Sequence, residues 1–284
     1  MSDAALFRSV LYIPASKVRA LDKARSLNVD AIIFDLEDAV APDEKVAARA
    51  ILADELETGR YGHRVRIVRI NGLDTPWSAD DARAVAGMAC DAVLLPKTES
   101  AVHVATLAAQ VPGMPIWCMM ETPRGVLNAL DIADAAPVQG LVMGTNDLAK
   151  DIGCETGGDR KAMMSALQSC LMAARAAGTV IVDGVYNAFK DDDGLRAECE
   201  QGLALGMDGK TLIHPAQIEI ANRVFAPTED QVALAERQIA AFEAAQAEGE
   251  GVAVVDGRIV ENLHIETARA ILAKASAVRA REAA

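Results

Sequence analysis

The chain has 284 residues, of which 51% are hydrophobic and only 4% are aromatic. This length is enough to bury a large core, and the composition is that of a folded, helix-rich protein rather than a disordered chain. The formal net charge of −13 and the isoelectric point near 4.8 oppose binding to nucleic-acid phosphates and to anionic membranes. Any anionic ligand must therefore be held by local cations or by a metal ion.

Five cysteines are scattered through the chain, and no two of them form a Cys-x-x-Cys pair. This spacing argues against a disulfide framework and against a zinc site. The first residues, Met-Ser-Asp-Ala-Ala, lack the basic and apolar regions of a secretory signal, and no uncharged apolar run reaches about 18 residues. We therefore expect a cytoplasmic protein that neither spans a membrane nor binds nucleic acid.

Eight short runs rich in Val, Ile and Leu alternate with longer segments of helical spacing. The runs are nearly continuous in apolar residues, which is typical of strands buried on both faces of a parallel sheet. They cover residues 9–14, 31–38, 64–71, 92–97, 115–122, 140–147, 180–186 and 210–214. The helical segments include residues 42–57, 125–136, 159–177 and 191–205. Eight consecutive βα units predict a (β/α)8 TIM barrel.

The pattern changes after Pro227, where the barrel units end. A charged helical segment covers residues 229–248, a short apolar run ends at Asp256-Gly257, and a last helix is predicted over residues 265–281. This part of the chain is too small to fold alone. We therefore predict a barrel domain over residues 1–227 and a C-terminal helical extension over residues 228–284.

Polar residues follow the predicted strands at their carboxyl ends. They are Asp35, Glu37, Asp38, Arg69, Asn71, Lys97, Glu121, Asn146, Asp147, Asp183 and His214. Because the carboxyl ends of barrel strands converge on one face, we expect these side chains to surround one pocket.

Two of these acids, Glu121 and Asp147, end consecutive predicted strands and are therefore expected to be neighbours across the barrel mouth. A pair of carboxylates suits a hard cation such as Mg2+, which keeps positions open for substrate and water. Two isolated acids would more simply be helix caps or surface groups. Their position at adjacent strand ends is what favours a metal site.

Arg69 ends the third predicted strand among apolar residues, where an unpaired guanidinium would be costly to bury. It therefore needs an anionic partner. One alternative is a structural ion pair with Glu37 or Asp38, and the other is a role towards a substrate anion. The two roles are compatible, with Glu37 and Asp38 orienting the guanidinium from behind.

Short segments at the strand ends also match a known family in unbroken order. They are residues 8–14 (RSVLYIP), 35–40 (DLEDAV), 68–71 (VRIN), 95–97 (LPK), 121–123 (ETP), 144–148 (GTNDL) and 213–215 (IHP). With them the chain resembles, from about residue 8 to 275, the HpcH/HpaI aldolase and citrate lyase beta-subunit family, which includes malyl-CoA lyases. Residues 179–189 (TVIVDGVYNAF) and 252–268 (VAVVDGRIVENLHIETA) are similar to those of the family's (3S)-malyl-CoA thioesterases.

The resemblance implies a metal and a charge-stabilising group in the site. Glu121 and Asp147 correspond to ligands of Mg2+, with Mn2+ as a second possible ion. Arg69 corresponds to the residue that faces the thioester carbonyl and stabilises negative charge on its oxygen. Glu37 and Asp38 are then supporting residues that orient Arg69 and metal-bound water.

The resemblance also implies a binding site for coenzyme A. Tyr12, Lys17 and Lys23 match positions that contact this ligand, the ring by packing and the lysines by meeting phosphates. Each lysine taken alone is equally compatible with a solvated helix position. Asn146 is expected to donate to the substrate, whereas a hydrogen-bonded place in the barrel rim is the simpler reading of His214.

Glu261 departs from the family pattern. The lyases carry Asp at the corresponding position of a lid, which acts as acid or base and reaches in from a neighbouring subunit. The extension is therefore expected to be a lid and an oligomerisation element of a homotrimer or hexamer. Glutamate is longer by one methylene, a displacement large enough to favour activating water over handling the substrate hydroxyl. A polar residue that merely precedes the last helix is the alternative.

The leading functional expectation is Mg2+-dependent hydrolysis of (3S)-malyl-CoA to malate and free coenzyme A, with Arg69 and Glu261 as catalytic residues. The alternative is carbon–carbon cleavage of a malyl-CoA or citryl-CoA substrate to acetyl-CoA and a 2-oxo acid. A metal-dependent pyruvate-type aldolase leaves Tyr12, Lys17 and the lid unexplained. A non-catalytic subunit that binds a CoA ester is disfavoured because the expected ligands and the arginine are all present. The fold alone excludes none of these.

Overall fold

The structure, a computed structural model, describes residues 6–283. Within this range the eight apolar runs form eight parallel strands, and the first strand pairs with the last to close a barrel. The strands are β1 (Ser9–Pro14), β2 (Ala31–Asp35), β3 (Val65–Arg69), β4 (Ala92–Leu95), β5 (Ile116–Met120), β6 (Val138–Met143), β7 (Val180–Asp183) and β8 (Gly209–Leu212). The predicted (β/α)8 barrel is confirmed.

Helices connect the strands and cover the outside of the barrel. They are α1 (Val18–Ala24), α2 (Lys45–Glu57), α3 (Ser78–Val85), α4 (Ala101–Ala108), α5 (Pro123–Leu127), α6 (Ala129–Ala133), α7 (Thr145–Ile152), α8 (Met164–Ala177), α9 (Asp192–Leu205) and α10 (Ile218–Val224). The single helix predicted over residues 125–136 is wrong. Asn128, at φ −104° and ψ 17°, leaves helical geometry and separates α5 from α6.

Several strands were predicted too long at their carboxyl ends. The second ends at Asp35 rather than at residue 38, and the sixth ends at Met143 rather than at residue 147. Asn146 and Asp147 consequently lie in the first turn of helix α7, directly after the strand. Apolar patterning does not mark these ends, because the chain leaves the sheet while its residues still face the barrel mouth.

Alternate residues along each strand face opposite sides of the sheet, so one set fills the barrel and the other packs under the helices. The interior set includes Val10, Ile33, Ile67, Trp117 and Val142, and all five are buried. The outward set belongs to a larger apolar cluster that also contains helix residues. A residue at a strand end is therefore directed into the barrel mouth when it continues the interior row of its strand.

The described chain divides into two compact units, residues 7–225 and residues 226–283 together with Leu6. The second unit contains α11 (Glu229–Ala247), a hairpin of β9 (Ala253–Val255) and β10 (Arg258–Val260), and α12 (Asn262–Glu282). The sequence indicated one strand here, not a hairpin. Asp256 and Gly257, both at positive φ, form the two-residue turn that joins the strands.

No helix in residues 6–283 combines the length and the apolar character that a membrane crossing needs.

Gly209 lies where β8 pairs with β1 to close the barrel. Glycine is required there because the backbone before β1 lies too close to leave room for a side chain. A Cβ at this position would lie 1.7 Å from the carbonyl oxygen of Phe7. Backbone cannot move aside as a flexible side chain can, so we expect Gly209→Ala to lower the free energy of unfolding by at least about 2 kcal/mol. Urea unfolding measures this change.

Gly87→Ala is the matched control, because its Cβ would be 3.6 Å from its nearest neighbour, the oxygen of Ala84. It should change stability by less than about 1 kcal/mol. Equal effects of the two substitutions would contradict the tight closure at Gly209.

Candidate active site

A cavity of about 300 Å³ opens at the carboxyl ends of the strands. Its wall includes seven residues that the sequence had singled out, namely Tyr12, Asp35, Asp38, Arg69, Glu121, Asn146 and Asp147. They come from β1, β2 and the loop that follows it, β3, the end of β5 and the first turn of α7. The barrel thus brings together side chains that are far apart in the chain.

Arg69 is buried at the end of β3 and forms a two-pronged ion pair with Asp35. Its Nε and Nη2 each donate to an Asp35 carboxylate oxygen at 2.7 Å. Its Nη1 lies 2.9 Å from Glu37 and 3.4 Å from the exposed carboxylate of Asp38. Glu37 and Asp38 are thus partners of Arg69, but Asp35 is the principal one.

Sequence reasoning missed the pairing of Asp35 with Arg69, although a signal for it exists. Asp35 and Arg69 are opposite each other in the register of β2 and β3, and both continue interior rows of alternate residues. Asp35 also accepts hydrogen bonds from the N–H groups of Glu37 and Ala39, at 2.9 and 3.0 Å. It therefore holds both the guanidinium and the loop that follows β2.

Tyr12 lies beside this ion pair. The Arg69 guanidinium carbon is 5.0 Å from the centre of the Tyr12 ring, a distance suited to cation–π attraction. The Tyr12 hydroxyl donates to the sulfur of Met119 at 3.8 Å. Burial raises the pKa of the Tyr12 phenol well above its usual range, so the group remains neutral. The ring gives the cavity an aromatic wall next to a fixed positive charge.

Glu121 lies directly after β5 and is almost fully buried. One of its carboxylate oxygens accepts the backbone N–H of Lys97 at 2.7 Å. Burial raises its pKa to about 7, and the neighbouring Asp147 acts in the same direction. A Cβ at Gly144 would lie 2.6 Å from the other Glu121 oxygen, so glycine is required there to leave room for this carboxylate.

Asn146 and Asn187 face each other across the cavity wall, and only the first was predicted. Each side-chain amide donates to the oxygen of the other, at 3.2 and 2.8 Å. The pair joins the first turn of α7 to the loop between β7 and α9. Asn187 also lines the cavity, as does Thr145, which was not predicted either. No local motif marks Asn187, because its role depends on a contact across two loops.

Lys97 has a strained backbone at φ 47°, a conformation that L-residues other than Asn and Asp rarely adopt. This conformation directs its N–H to Glu121. Partial burial lowers the pKa of its ammonium, but Glu37, Glu121, Asp147 and Asp38 outweigh that effect and raise it. Lys97 is therefore a second cation facing the acids of the cavity.

Other predicted residues lie away from the cavity. Lys17 and Lys23 are exposed at the start and near the end of α1, and the Lys17 ammonium is 3.8 Å from Glu44. His214 caps the turn Pro215–Gln217, where its Nδ1 accepts the N–H of Ala216 at 3.1 Å. This contact matches the simpler interpretation of His214 as a rim residue.

Two polar strand-end residues do not face the pocket, and their expected place there is wrong. Asp183 is buried on the outward face of β7, where it binds Arg160 at 2.8 Å and Lys210 at 3.3 Å. Asn71 is bound to Asp81 of α3, with its amide nitrogen 2.6 Å from a carboxylate oxygen. Asp183 belongs to the outward row because the preceding Val182 belongs to the interior row.

Glu261 lies in the second unit, directly before helix α12. Its side chain is exposed, and its backbone N–H donates to Nδ1 of His264 at 3.0 Å. This position agrees with the alternative interpretation of Glu261 as a polar residue that precedes the last helix.

Comparison with known proteins identifies the family. Residues 8–215 match the model of HpcH/HpaI aldolase/citrate lyase. The chain belongs to this family. The segments at the strand ends had indicated the same family, and the resemblance is confirmed.

The family members that the chain resembles include a thioesterase and lyases. A (3S)-malyl-CoA thioesterase of Cereibacter sphaeroides is 62% identical over 274 residues, which is 96% of each chain. The citrate lyase subunit beta of Leuconostoc mesenteroides is 34% identical over 98% of this chain and 96% of its own. A crystal structure of CitE from Mycobacterium tuberculosis, in complex with magnesium, acetoacetate and coenzyme A, is 32% identical. It superimposes with a TM-score of 0.82 over 96% of this chain and 99% of that one.

The strained backbone of Lys97 leads to a stability prediction. Lys97→Gly and Lys97→Ala both remove the ammonium and keep the N–H that binds Glu121, but only glycine adopts positive φ freely. We expect the Gly variant to be more stable than the Ala variant by about 1 kcal/mol in urea unfolding. Equal stabilities would mean that the backbone relaxes and that the hydrogen bond to Glu121 is not maintained.

Proposed function

We propose that this family member hydrolyses (3S)-malyl-CoA to (S)-malate and free coenzyme A. The cavity carries the proposal, because it combines the buried guanidinium of Arg69 with the carboxylates of Glu121 and Asp147 next to an aromatic wall. The relative that is 62% identical and named (3S)-malyl-CoA thioesterase supports hydrolysis as the reaction. The geometry of the site thus supports the class of substrate. The likeness to the thioesterase supports hydrolysis of the thioester bond.

Glu121 and Asp147 are the residues that would hold Mg2+, or alternatively Mn2+. The fit is electrostatic, because burial, with a smaller contribution from the Asp147 carboxylate, raises the pKa of Glu121 to about 7, and a bound cation would relieve that repulsion. No cluster of three or more His, Cys, Asp or Glu suited to a metal occurs in the described part of the chain. Bound Mg2+ would supply Lewis-acid polarisation of substrate oxygens and orient the hydroxy-acid end. Magnesium is present in the CitE complex.

Arg69 supplies the charge that the thioester oxygen requires as it becomes negative. Asp35 holds the Nε–Nη2 edge of the guanidinium, so its direction is set before substrate arrives. Its longest contact with a carboxylate, Nη1 to Asp38 at 3.4 Å, is with an exposed side chain. The Nη1 N–H can therefore exchange Asp38 for a substrate oxygen more readily than the other N–H groups of Arg69 can change their partners. Glu37, together with Asp38, maintains the orientation of Arg69.

Coenzyme A is assigned to the side of the cavity formed by Tyr12, with its phosphates extending out of the cavity towards helix α1. Tyr12 would pack against the ligand at the mouth, and Asn146 would donate to the acyl part. Lys17 and Lys23 are exposed on α1 and would meet the phosphates as point charges. These local cations counter the overall charge of −13, which otherwise disfavours an anionic ligand.

The remaining base is assigned to the extension. We propose residues 1–227 as the catalytic barrel and residues 228–284 as a lid and oligomerisation element. Glu261 would activate water, acting from the lid of an adjacent subunit in a homotrimer or hexamer. The exposed carboxylate of Glu261 is available for such a role.

The five cysteines are free thiols, as expected in the reducing cytoplasm to which we assign the protein.

Carbon–carbon cleavage to acetyl-CoA and a 2-oxo acid is the second candidate. It uses the same pair of metal-binding carboxylates and the same Arg69. The relative named citrate lyase subunit beta supports it. Purified protein is therefore to be mixed with (3S)-malyl-CoA and Mg2+. Free thiol with malate supports hydrolysis, whereas acetyl-CoA with glyoxylate supports cleavage.

We predict that Glu121→Gln and Asp147→Asn each lower turnover of malyl-CoA by at least about a hundredfold, because each removes one anionic oxygen donor from the metal. Titration with Mn2+, followed by electron paramagnetic resonance, should show weaker metal binding in both variants. Asp151→Asn is the matched control, because Asp151 is an exposed acid on the same helix as Asp147. Full activity of either site variant, or of the wild type after thorough chelation, would remove the metal hypothesis.

We predict that inactive Glu261→Ala protein and inactive Glu121→Gln protein regain part of the activity when dissociated, mixed and reassembled. Some interfaces of the hybrids would combine an intact barrel with an intact lid. Each variant reassembled by itself is the control and should stay inactive. Hybrids verified by native mass spectrometry that show no recovery would mean that the lid acts within its own chain or that Glu261 is not catalytic.

A further inference from the structure

A second cavity, of about 250 Å³, lies beside the first at the barrel mouth. Thr145, Val185 and Asn187 line both cavities. The wall between the two spaces is therefore a single layer of side chains. Asn187 has the longest side chain of the three, and it is a natural determinant of how far a ligand in the first cavity can extend.

Asn187 is held in place by its reciprocal hydrogen bonds to Asn146, at 3.2 and 2.8 Å. Asn146 immediately precedes Asp147, one of the two acids assigned to the hydroxy-acid end of the substrate. Arg69 lies on β3 and Asn187 follows β7, so the two residues come from opposite sides of an eight-stranded barrel. Asn187 thus borders the hydroxy-acid end, away from the thioester.

The backbone around Asn187 is fixed by buried groups. Lys210 donates to the carbonyl of Gly184 at 2.6 Å, and Thr211 donates to the carbonyl of Asp183 at 2.9 Å. The Gln217 amide donates to the carbonyl of Tyr186, also at 2.9 Å. Because this loop is anchored at three points, shortening the Asn187 side chain should leave open space rather than let the loop collapse.

The second cavity can accept a small group on its far side. Val185 and Met163 supply apolar wall, and Arg160 and Glu198 supply polar wall. Arg160 is buried, with Nη1 2.8 Å from both oxygens of Asp183 and Nε 2.7 Å from Gln201. Its Nη2 has no hydrogen-bond partner among the described residues. The space suits a methyl group or a short polar branch.

We propose that Asn187 is a specificity-determining residue, which restricts the enzyme to unbranched hydroxyacyl groups by closing the way to the second cavity. A substrate with an additional methyl group on its hydroxyl-bearing carbon would direct that methyl against the Asn187 amide. This inference rests on the proposed function, because it places the hydroxy acid beside Asn146 and Asp147.

The test compares wild type, Asn187→Ala and Asn187→Leu with two substrates in the presence of Mg2+. One is (3S)-malyl-CoA, and the other is its homologue with a methyl group on the hydroxyl-bearing carbon. The ratio of kcat/KM for the branched over the unbranched ester should rise at least about tenfold in the Ala variant. It should stay within about threefold of wild type in the Leu variant, which loses the amide but keeps the volume.

Two results would overturn the inference. An unchanged ratio in Asn187→Ala would mean that the wall does not limit the substrate. A rise of equal size in Asn187→Leu would mean that the amide hydrogen bonds matter rather than the space. Asn187→Ser repeats the test with a short polar side chain should the Ala variant fail to fold, as judged by thermal unfolding.

The same ratio can be measured without turnover, from dissociation constants of the two esters by titration calorimetry with Mg2+. If wild type binds malyl-CoA but neither hydrolyses nor cleaves it, the proposed function fails while the ratio of affinities still tests Asn187. If malyl-CoA does not bind, both proposals are overturned.

Discussion

A guanidinium buried at the mouth of a barrel requires an anionic partner, and Asp35 provides it for Arg69. The two side chains lie in the same register of adjacent strands, so the sheet itself brings them together. The pairing leaves Nη1 for contacts with Glu37, Asp38 and an incoming ligand. A buried ion pair contributes little net stability, whereas removing one member leaves a costly unpaired charge. Its value here is orientation of Arg69 and of the loop that follows β2.

The cavity also carries an excess of negative charge. Asp35, Glu37, Asp38, Glu121 and Asp147 surround two cations, Arg69 and Lys97, and the acids therefore outnumber the bases. Burial raises the pKa of Glu37 to about 8, because the neighbouring carboxylates act in the same direction and the opposing effect of Arg69 is smaller than that of burial. Carboxylates held in this way favour a divalent cation, which lowers the repulsion among them. The protein maintains the arrangement through rigid elements, including the strained backbone of Lys97 and the absence of a Cβ at Gly144.

The polar residues on the two faces of the strands have different surroundings. Tyr12, Arg69 and Glu121 lie on the cavity side, whereas Asp183 and Lys210 form a buried ionic cluster with Arg160 and Glu198 outside the barrel. That cluster supports the loop carrying Asn187, since Lys210 also binds the carbonyl of Gly184. Groups that take no part in the proposed chemistry thus fix the position of one wall of the site.

The sequence by itself determined the barrel, because buried parallel strands have a continuous apolar pattern that recurs with each βα unit. It also identified the family and most of the polar residues of the cavity, since the carboxyl ends of barrel strands converge. Strand register, by contrast, is a property of two strands together. The register of β2 and β3 makes Asp35, rather than Glu37 or Asp38, the principal partner of Arg69. The alternation of side chains along β7 places Asp183 on the outward face, away from the pocket. The pairing of Asn146 with Asn187 was likewise decided only by the tertiary structure, because a contact between two loops leaves no periodic signal in either one.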